Sequence, residues 1–177
     1  LTNKFFQAWK EGSSGEWFGP NTGFGKALAA IKGLLTGDFP TLPNTTWNGS
    51  DAELLGKAQP GRYLNSNEDQ GQADITQGLG DCTSAIEDLI AIMDGQPTEG
   101  RSMATSNADQ WLVEHGFMPT NEMVPGAFNV GFNDHHMQAT LPGGTNFNWG
   151  SNEAAAQRGI NGGGAFDHAD LLCEMVA

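Results

Sequence analysis

Between residues 82 and 93 the apolar positions Ile86, Leu89, Ile90 and Met93 recur at three- and four-residue spacing, with Glu87, Asp88 and Asp94 falling on the other side. That spacing predicts one amphipathic helix. Other stretches share its period. Phe5, Phe6, Ala8 and Trp9 suggest a short helix ending at Gly12, and Leu28, Ile31, Leu34 and Leu35 a second one from Lys26 to Leu35, with Gly37 just past its end. Ser50-Asp51-Ala52-Glu53 has the spacing of a capping box and starts a brief helix through Leu54, Leu55 and Lys57, stopped by Pro60-Gly61. Ser106-Asn107-Ala108-Asp109 opens another, which carries Trp111, Leu112 and His115 and closes at Gly116.

The period then changes to two. From Ala127 to Asn133, Phe128, Val130 and Phe132 alternate with Asn129, Gly131 and Asn133, the pattern of a strand with one buried face. Met137, Ala139 and Leu141 continue it, Pro142-Gly143-Gly144 turns the chain, and Phe147 and Trp149 alternate with Asn146 and Asn148. This reads as a hairpin. Helical spacing followed by alternation predicts an α+β fold, with strands over 127–133, 136–141 and 145–149 packed against the helix that begins at Cys82. Phe166 to Val176 is expected to close the chain as a helix, with Leu171, Leu172 and Met175 inward and Cys173 in the core. The polar stretch from Tyr63 to Gly80 reads as a loop over the site or as disorder.

At 177 residues the chain is long enough for one sizeable core, or a compact domain with an arm. Its formal charge of -13 is uneven: residues 1–62 carry six Lys/Arg against five Asp/Glu, and residues 63–177 two against sixteen. The shift suggests a helical N-terminal segment over 1–62 and a second unit over 63–177. Such an acidic surface repels phosphate backbones and anionic lipid, which argues against nucleic-acid and membrane partners. No apolar run reaches the length of a membrane span. The start has neither Met nor a charged leader before an apolar segment, as expected of a fragment or processed product. Asn44-Thr45-Thr46 and Asn48-Gly49-Ser50 formally match glycosylation acceptors.

Cys82 falls in the first turn of its helix, where unpaired N–H groups and the helix dipole favour thiolate over thiol. It reads as a nucleophile, or alternatively as an inert buried cysteine or half of a disulfide with Cys173. A base is available on the hairpin. If the strands pair symmetrically about Pro142, residue numbers across the ladder sum to 284, which sets His136 opposite Asn148 and Gln138 opposite Asn146. Cross-strand Cβ atoms are roughly 4.5–5.5 Å apart, close enough for an amide to orient an imidazole. Cys82, His136 and Asn148 then follow the logic of a cysteine-histidine-amide triad. The backbone N–H of Cys82 would serve an oxyanion, and Gln77 is either a second donor or a solvated loop glutamine. Asp81 is expected to accept nearby backbone N–H groups, since a bare carboxylate beside the thiolate raises the thiol pKa. A metal reading of Asp134-His135-His136 is weaker, because adjacent strand residues point to opposite faces and no second ligand cluster has a recognisable spacing. Asp167, His168 and Asp170 read better as a solvated helix start. Neither metal nor cofactor is expected.

Asp81-Cys82-Thr83-Ser84 resembles the Asp-Cys-Ser-Gly motif that opens the helix in NlpC-type, papain-like cell-wall peptidases, with Thr83 and Ser84 in place of Ser-Gly. His136-Met137-Gln138-Ala139-Thr140-Leu141-Pro142-Gly143-Gly144 resembles their histidine strand and following turn, and the polar third member twelve residues after the histidine falls on Asn148. An upstream tyrosine is represented only at a distance, by Tyr63. The likeness extends to peptidase-like segments of tape-measure proteins from phages of actinobacteria, and to related actinobacterial proteins, and covers roughly Gly78 to Gly159. It implies a papain-like fold and amide hydrolysis in peptidoglycan stem peptides by a secreted, cell-envelope or virion protein. The alternative is a catalytically inactive peptidase-like module of a larger secreted or virion protein, holding a peptide in its groove.

Overall fold

The computed structural model describes residues 3–9, 49–160 and 162–168. Within them the chain is a mixed α+β fold. In chain order the elements are β1 (Lys4–Trp9), α1 (Asp51–Leu55), β2 (Arg62–Tyr63), β3 (Leu79–Gly80), α2 (Cys82–Met93), α3 (Ala108–Glu114), β4 (Met118–Pro119), β5 (Ala127–Phe132), β6 (Met137–Thr140) and β7 (Asn146–Asn148). Strands β4-β1-β5-β6-β7 form one sheet, antiparallel at every pairing, and β2 and β3 form a separate parallel pair.

Side-chain caps start α1 and α2, whereas Asn107 ahead of α3 makes no cap bond. Ser50 accepts the N–H of Glu53, whose carboxylate takes the N–H of Ser50 in return, so α1 starts on a complete capping box. Ile86, Leu89, Ile90 and Met93 of α2 are buried against one face of the sheet, together with Phe6, Phe128, Val130, Phe132, Met137, Ala139 and Phe147. The helix packs most directly on β6.

Residues 4–9 form a strand, in place of the helix expected from Phe5 to Gly12, and pair with β5 from Lys4–Phe132 to Trp9–Ala127. An apolar run this short carries no usable period, and the free N–H and C=O groups of β4 and β5 decide its conformation. Residues 4–9 therefore share a sheet with β6, and are not helical cover, whereas 51–55 of the same segment are helical as expected. The helix expected over 26–35, Asn44 and Asn48 of the two glycosylation matches, and Leu171, Leu172, Cys173 and Met175 of the closing helix lie outside the described residues.

Three further expectations change. All six residues of β5 are buried, where one buried face was predicted. The second face is covered by the segment after Gly162: Gln138 Nε2 donates to the Gly164 carbonyl at 2.9 Å, Ala165 N–H to Thr140 Oγ1 at 3.0 Å, and Phe166 stacks on Phe5 at 4.2 Å. Asp88, expected on the solvent side of α2, is 1% exposed and accepts the N–H of Ile75 at 2.8 Å. The stretch from Tyr63 to Gly80 is ordered by β2, β3 and two 3-10 turns, Gln70–Gln72 and Ile75–Gln77. Its chain crossing requires glycine twice, since a Cβ on Gly61 would lie 1.7 Å from the Gly78 carbonyl oxygen and Gly78 itself has φ +72°.

The hairpin register is shifted by two. Gln138 pairs with Asn148, Ala139 with Phe147 and Thr140 with Asn146. Leu141 N–H donates to the Thr145 carbonyl, so the loop is Pro142-Gly143-Gly144 and its centre is Gly143, with Gly144 at φ +92°. A three-residue loop ending in a left-handed glycine fixes that centre. Asp51 at the head of α1 holds the turn, accepting Gly143 N–H at 2.9 Å and Thr145 N–H at 3.0 Å.

Candidate active site

The first turn of α2 is fixed from several directions. Asp81 is the N-cap in extended conformation, its Oδ1 accepting the Ser84 N–H at 2.8 Å and the Thr83 hydroxyl at 3.0 Å, while Ser84 Oγ accepts the Asp81 N–H at 2.9 Å. The second Asp81 carboxylate oxygen takes a hydrogen bond from Arg101 Nη1 at 2.5 Å. Cys82 follows as the first helical residue, 5% exposed, at the positive end of the helix dipole.

The β2–β3 pair brings a side chain to the cysteine. Register sets Tyr63 beside Gly80, two residues before Cys82. The Tyr63 hydroxyl is in hydrogen-bond reach of both the thiol and the backbone N–H of Cys82, and its pKa is raised, first by burial and then by the charges of Cys82 and Asp81. The phenol therefore stays protonated, a hydrogen-bond donor at the helix end. Only its place in a distant upstream approach singles out Tyr63 in the sequence, and sixteen intervening residues must fold before Tyr63 meets Gly80. Gln77 is exposed at the end of its 3-10 turn.

His136 stands immediately before β6, buried at 1% exposure. Asn133 builds the turn that delivers it: Asn133 Oδ1 accepts the N–H groups of His135 at 2.8 Å and His136 at 3.0 Å, and Asn133 N–H donates to the His136 carbonyl. His136 Nε2 and Asn148 Oδ1 are 2.8 Å apart. Asn148 Nδ2 faces Glu153 Oε1 at 3.4 Å, and an ionised carboxylate only accepts, so the amide oxygen is the atom turned to the imidazole. The Asn148 oxygen also only accepts, so Nε2 carries the proton and Nδ1 is left as the basic nitrogen of the neutral ring. Gln138, the cross-strand partner of Asn148, is fully buried and ties the Gly164 carbonyl to the sheet.

The structure thus brings His136 together with Asn148, and Tyr63, Asp81 and Arg101 together with the Cys82 end of α2. Two contacts connect the elements that carry them: α2 packs on β6, and Trp149, next to Asn148, donates its indole N–H to the Gly80 carbonyl at 2.9 Å. Asp134 and His135 are exposed while His136 is buried, which splits the triplet. Among the described residues no group of three or more His, Cys, Asp or Glu could hold a metal ion, and no helix is long and apolar enough to cross a membrane. His168, exposed, meets Asn3 Nδ2 through its Nδ1 at 2.9 Å. Comparison with protein-family models, with curated proteins and with solved structures finds no match to this chain.

Proposed function

We propose that the chain is a cysteine hydrolase of papain-like, NlpC-type architecture that cleaves amide bonds, with Cys82 as nucleophile, His136 as base and Asn148 as the orienter of the imidazole. The observation that carries the reading is the His136–Asn148 hydrogen bond, whose amide acceptor favours the tautomer with its proton on Nε2 and Nδ1 as the nitrogen to accept a thiol proton. In the first half-reaction His136 takes the Cys82 proton, the sulfur attacks the amide carbonyl, and the tetrahedral intermediate expels the amine, which receives that proton from His136. A thioester remains. Water attacks it with His136 as base, releasing the carboxylic acid and restoring the thiol. The N–H of Cys82 and the hydroxyl of Tyr63 are the donors for the oxyanion, in place of Gln77.

Peptidoglycan stem peptides as substrate, and a secreted, cell-envelope or virion setting, are supported by the motif likeness around Cys82 and His136. The burial of Cys82 to 5% exposure favours a second reading, a catalytically silent module that holds a peptide. One assay separates them: hydrolysis of a muropeptide by the wild type and by Cys82→Ala, His136→Ala and His135→Ala. The hydrolase reading expects turnover only in the wild type and His135→Ala. No turnover by the folded wild type favours the silent module, and a rate retained by Cys82→Ala removes the mechanism.

A further inference from the structure

A nucleophilic thiol next to a carboxylate poses an electrostatic difficulty. Asp81 caps α2 through Oδ1, yet a carboxylate one residue from Cys82 opposes formation of the thiolate. Residues 63–177 contain only two cationic Lys/Arg side chains, Arg101 and Arg158. Arg158 is committed elsewhere, its Nε and Nη1 donating to the carbonyls of Gly150 at 3.2 Å and Gly61 at 2.6 Å. Arg101 meets Asp81 Oδ2 at 2.5 Å, and the Asp81 side chain in that pair is only 9% exposed, so solvent screens it poorly. Its position is not left to a mobile side chain. The carboxylate of Glu87, on α2 itself, receives the N–H groups of Ser102 at 3.0 Å and Met103 at 2.8 Å, docking the backbone next to Arg101 onto the helix.

Resting on the reading of Cys82 as nucleophile, we infer that Arg101 is a positioning residue that neutralises Asp81 and so keeps the Cys82 thiol ionisable near neutral pH. The other titratable groups around the helix end do not substitute for it. Tyr63 from β2 is neutral, Glu87 and Asp74 are acidic, and Asp88 is held protonated by burial up to about 8. His136, at the head of the strand on which α2 packs, is the proton partner in the proposed reaction and is present in every variant below.

The test is the pH dependence of Cys82 alkylation by iodoacetamide on the whole chain, between about pH 5 and pH 10, read by peptide mass mapping so that Cys173 is scored separately. Arg101→Gln moves the midpoint up by about half a pH unit or more, because the Asp81 charge is uncovered. Asp81→Asn keeps a capping side chain and leaves Arg101 unpaired, so the midpoint moves down. Arg101→Lys stays near the wild type. A purely structural role for the pair would not produce opposite displacements in the two variants. An unmoved midpoint in folded Arg101→Gln overturns the inference; if that variant does not fold, an unmoved or raised midpoint in Asp81→Asn overturns it. With muropeptide hydrolysis assayed alongside, turnover lost in Cys82→Ala together with an unmoved midpoint removes this inference alone. Turnover kept in Cys82→Ala removes the hydrolase reading and this inference with it.

Discussion

His136 Nε2 reaches Asn148 Oδ1 at 2.8 Å although the two residues are not cross-strand partners, since Asn148 pairs with Gln138. The imidazole lies just beyond the end of the ladder and turns back along it, a diagonal contact of the kind long side chains make across a hairpin. In the proposed mechanism this bond sets tautomer and orientation. Asn148→Ala is therefore expected to lower kcat on a muropeptide by roughly tenfold to a hundredfold with KM nearly unchanged. Asn148→Asp, which still offers an acceptor to Nε2–H, should retain more activity than Asn148→Ala. Equal rates for wild type and Asn148→Ala would remove Asn148 from the mechanism.

The contact also shows what the sequence makes legible. Helical spacing and start signals are local, so α1 could be placed from Ser50, α2 from Ile86, Leu89, Ile90 and Met93, and α3 from the Ser106–Asp109 run, and Cys82 at the head of its helix with them. His136 and Asn148 could be paired because a register error of two residues keeps both side chains on one face of the hairpin. Decisions made by distant chain were not legible. The six residues of β1 take their conformation from β4 and β5, more than a hundred positions away, Asp88 is buried by a turn that reaches back over α2, and Arg101 meets Asp81 only through a loop held by Glu87. A signal for Arg101 was present all the same: it is one of two cations in a long acidic stretch.

Asp88 should give stability a distinct pH dependence. Burial raises its pKa from 3.8 to about 8, opposed by the hydrogen bond from Ile75 N–H and reinforced by the charges of Asp74, Glu87 and Asp81. Between those two values the unfolded chain has released the proton and the folded chain has kept it, so the unfolded state binds fewer protons and stability falls as pH rises. The contribution is fully present below about pH 4 and is lost as pH approaches about 8. Asp88→Asn preserves an acceptor for Ile75 and cannot ionise. Urea unfolding across this window should show the wild type losing stability relative to Asp88→Asn as pH rises; a constant difference would show that Asp88 is ionised in the fold.

Gly131 tests the cover over the outer face of the sheet. A Cβ there would lie 1.8 Å from the Ala165 carbonyl oxygen, a backbone atom that no side-chain rotation can move aside. Gly131→Ala must push the 164–165 backbone off the sheet, breaking the bonds from Gln138 Nε2 to Gly164 and from Ala165 N–H to Thr140. The expected cost is about 2–3 kcal/mol in unfolding free energy, from overpacking and uncovered polar groups. A change within about 0.5 kcal/mol, the range of an ordinary surface substitution, would mean that the segment does not sit on the sheet in solution.

Tyr63 distinguishes a donor from a filler. Its ring packs against the core cluster, and Tyr63→Phe keeps that contact while deleting the hydroxyl beside the N–H and thiol of Cys82. Because burial holds the phenol well above its ordinary pKa of 10.0, it remains an O–H donor at every pH where the fold would be assayed. If that donor faces the oxyanion, its removal costs transition-state stabilisation and leaves binding and folding alone. Loss of one such donor elsewhere lowers kcat by roughly a hundredfold or more, and a site that keeps the Cys82 N–H should sit near the lower end of that effect. The expected outcome for Tyr63→Phe is an unchanged thermal midpoint, retained alkylation of Cys82, a KM close to wild type and a sharply reduced kcat. A reduced thermal midpoint with kcat preserved would make Tyr63 a packing residue and leave the Cys82 N–H as the only donor proposed for the oxyanion.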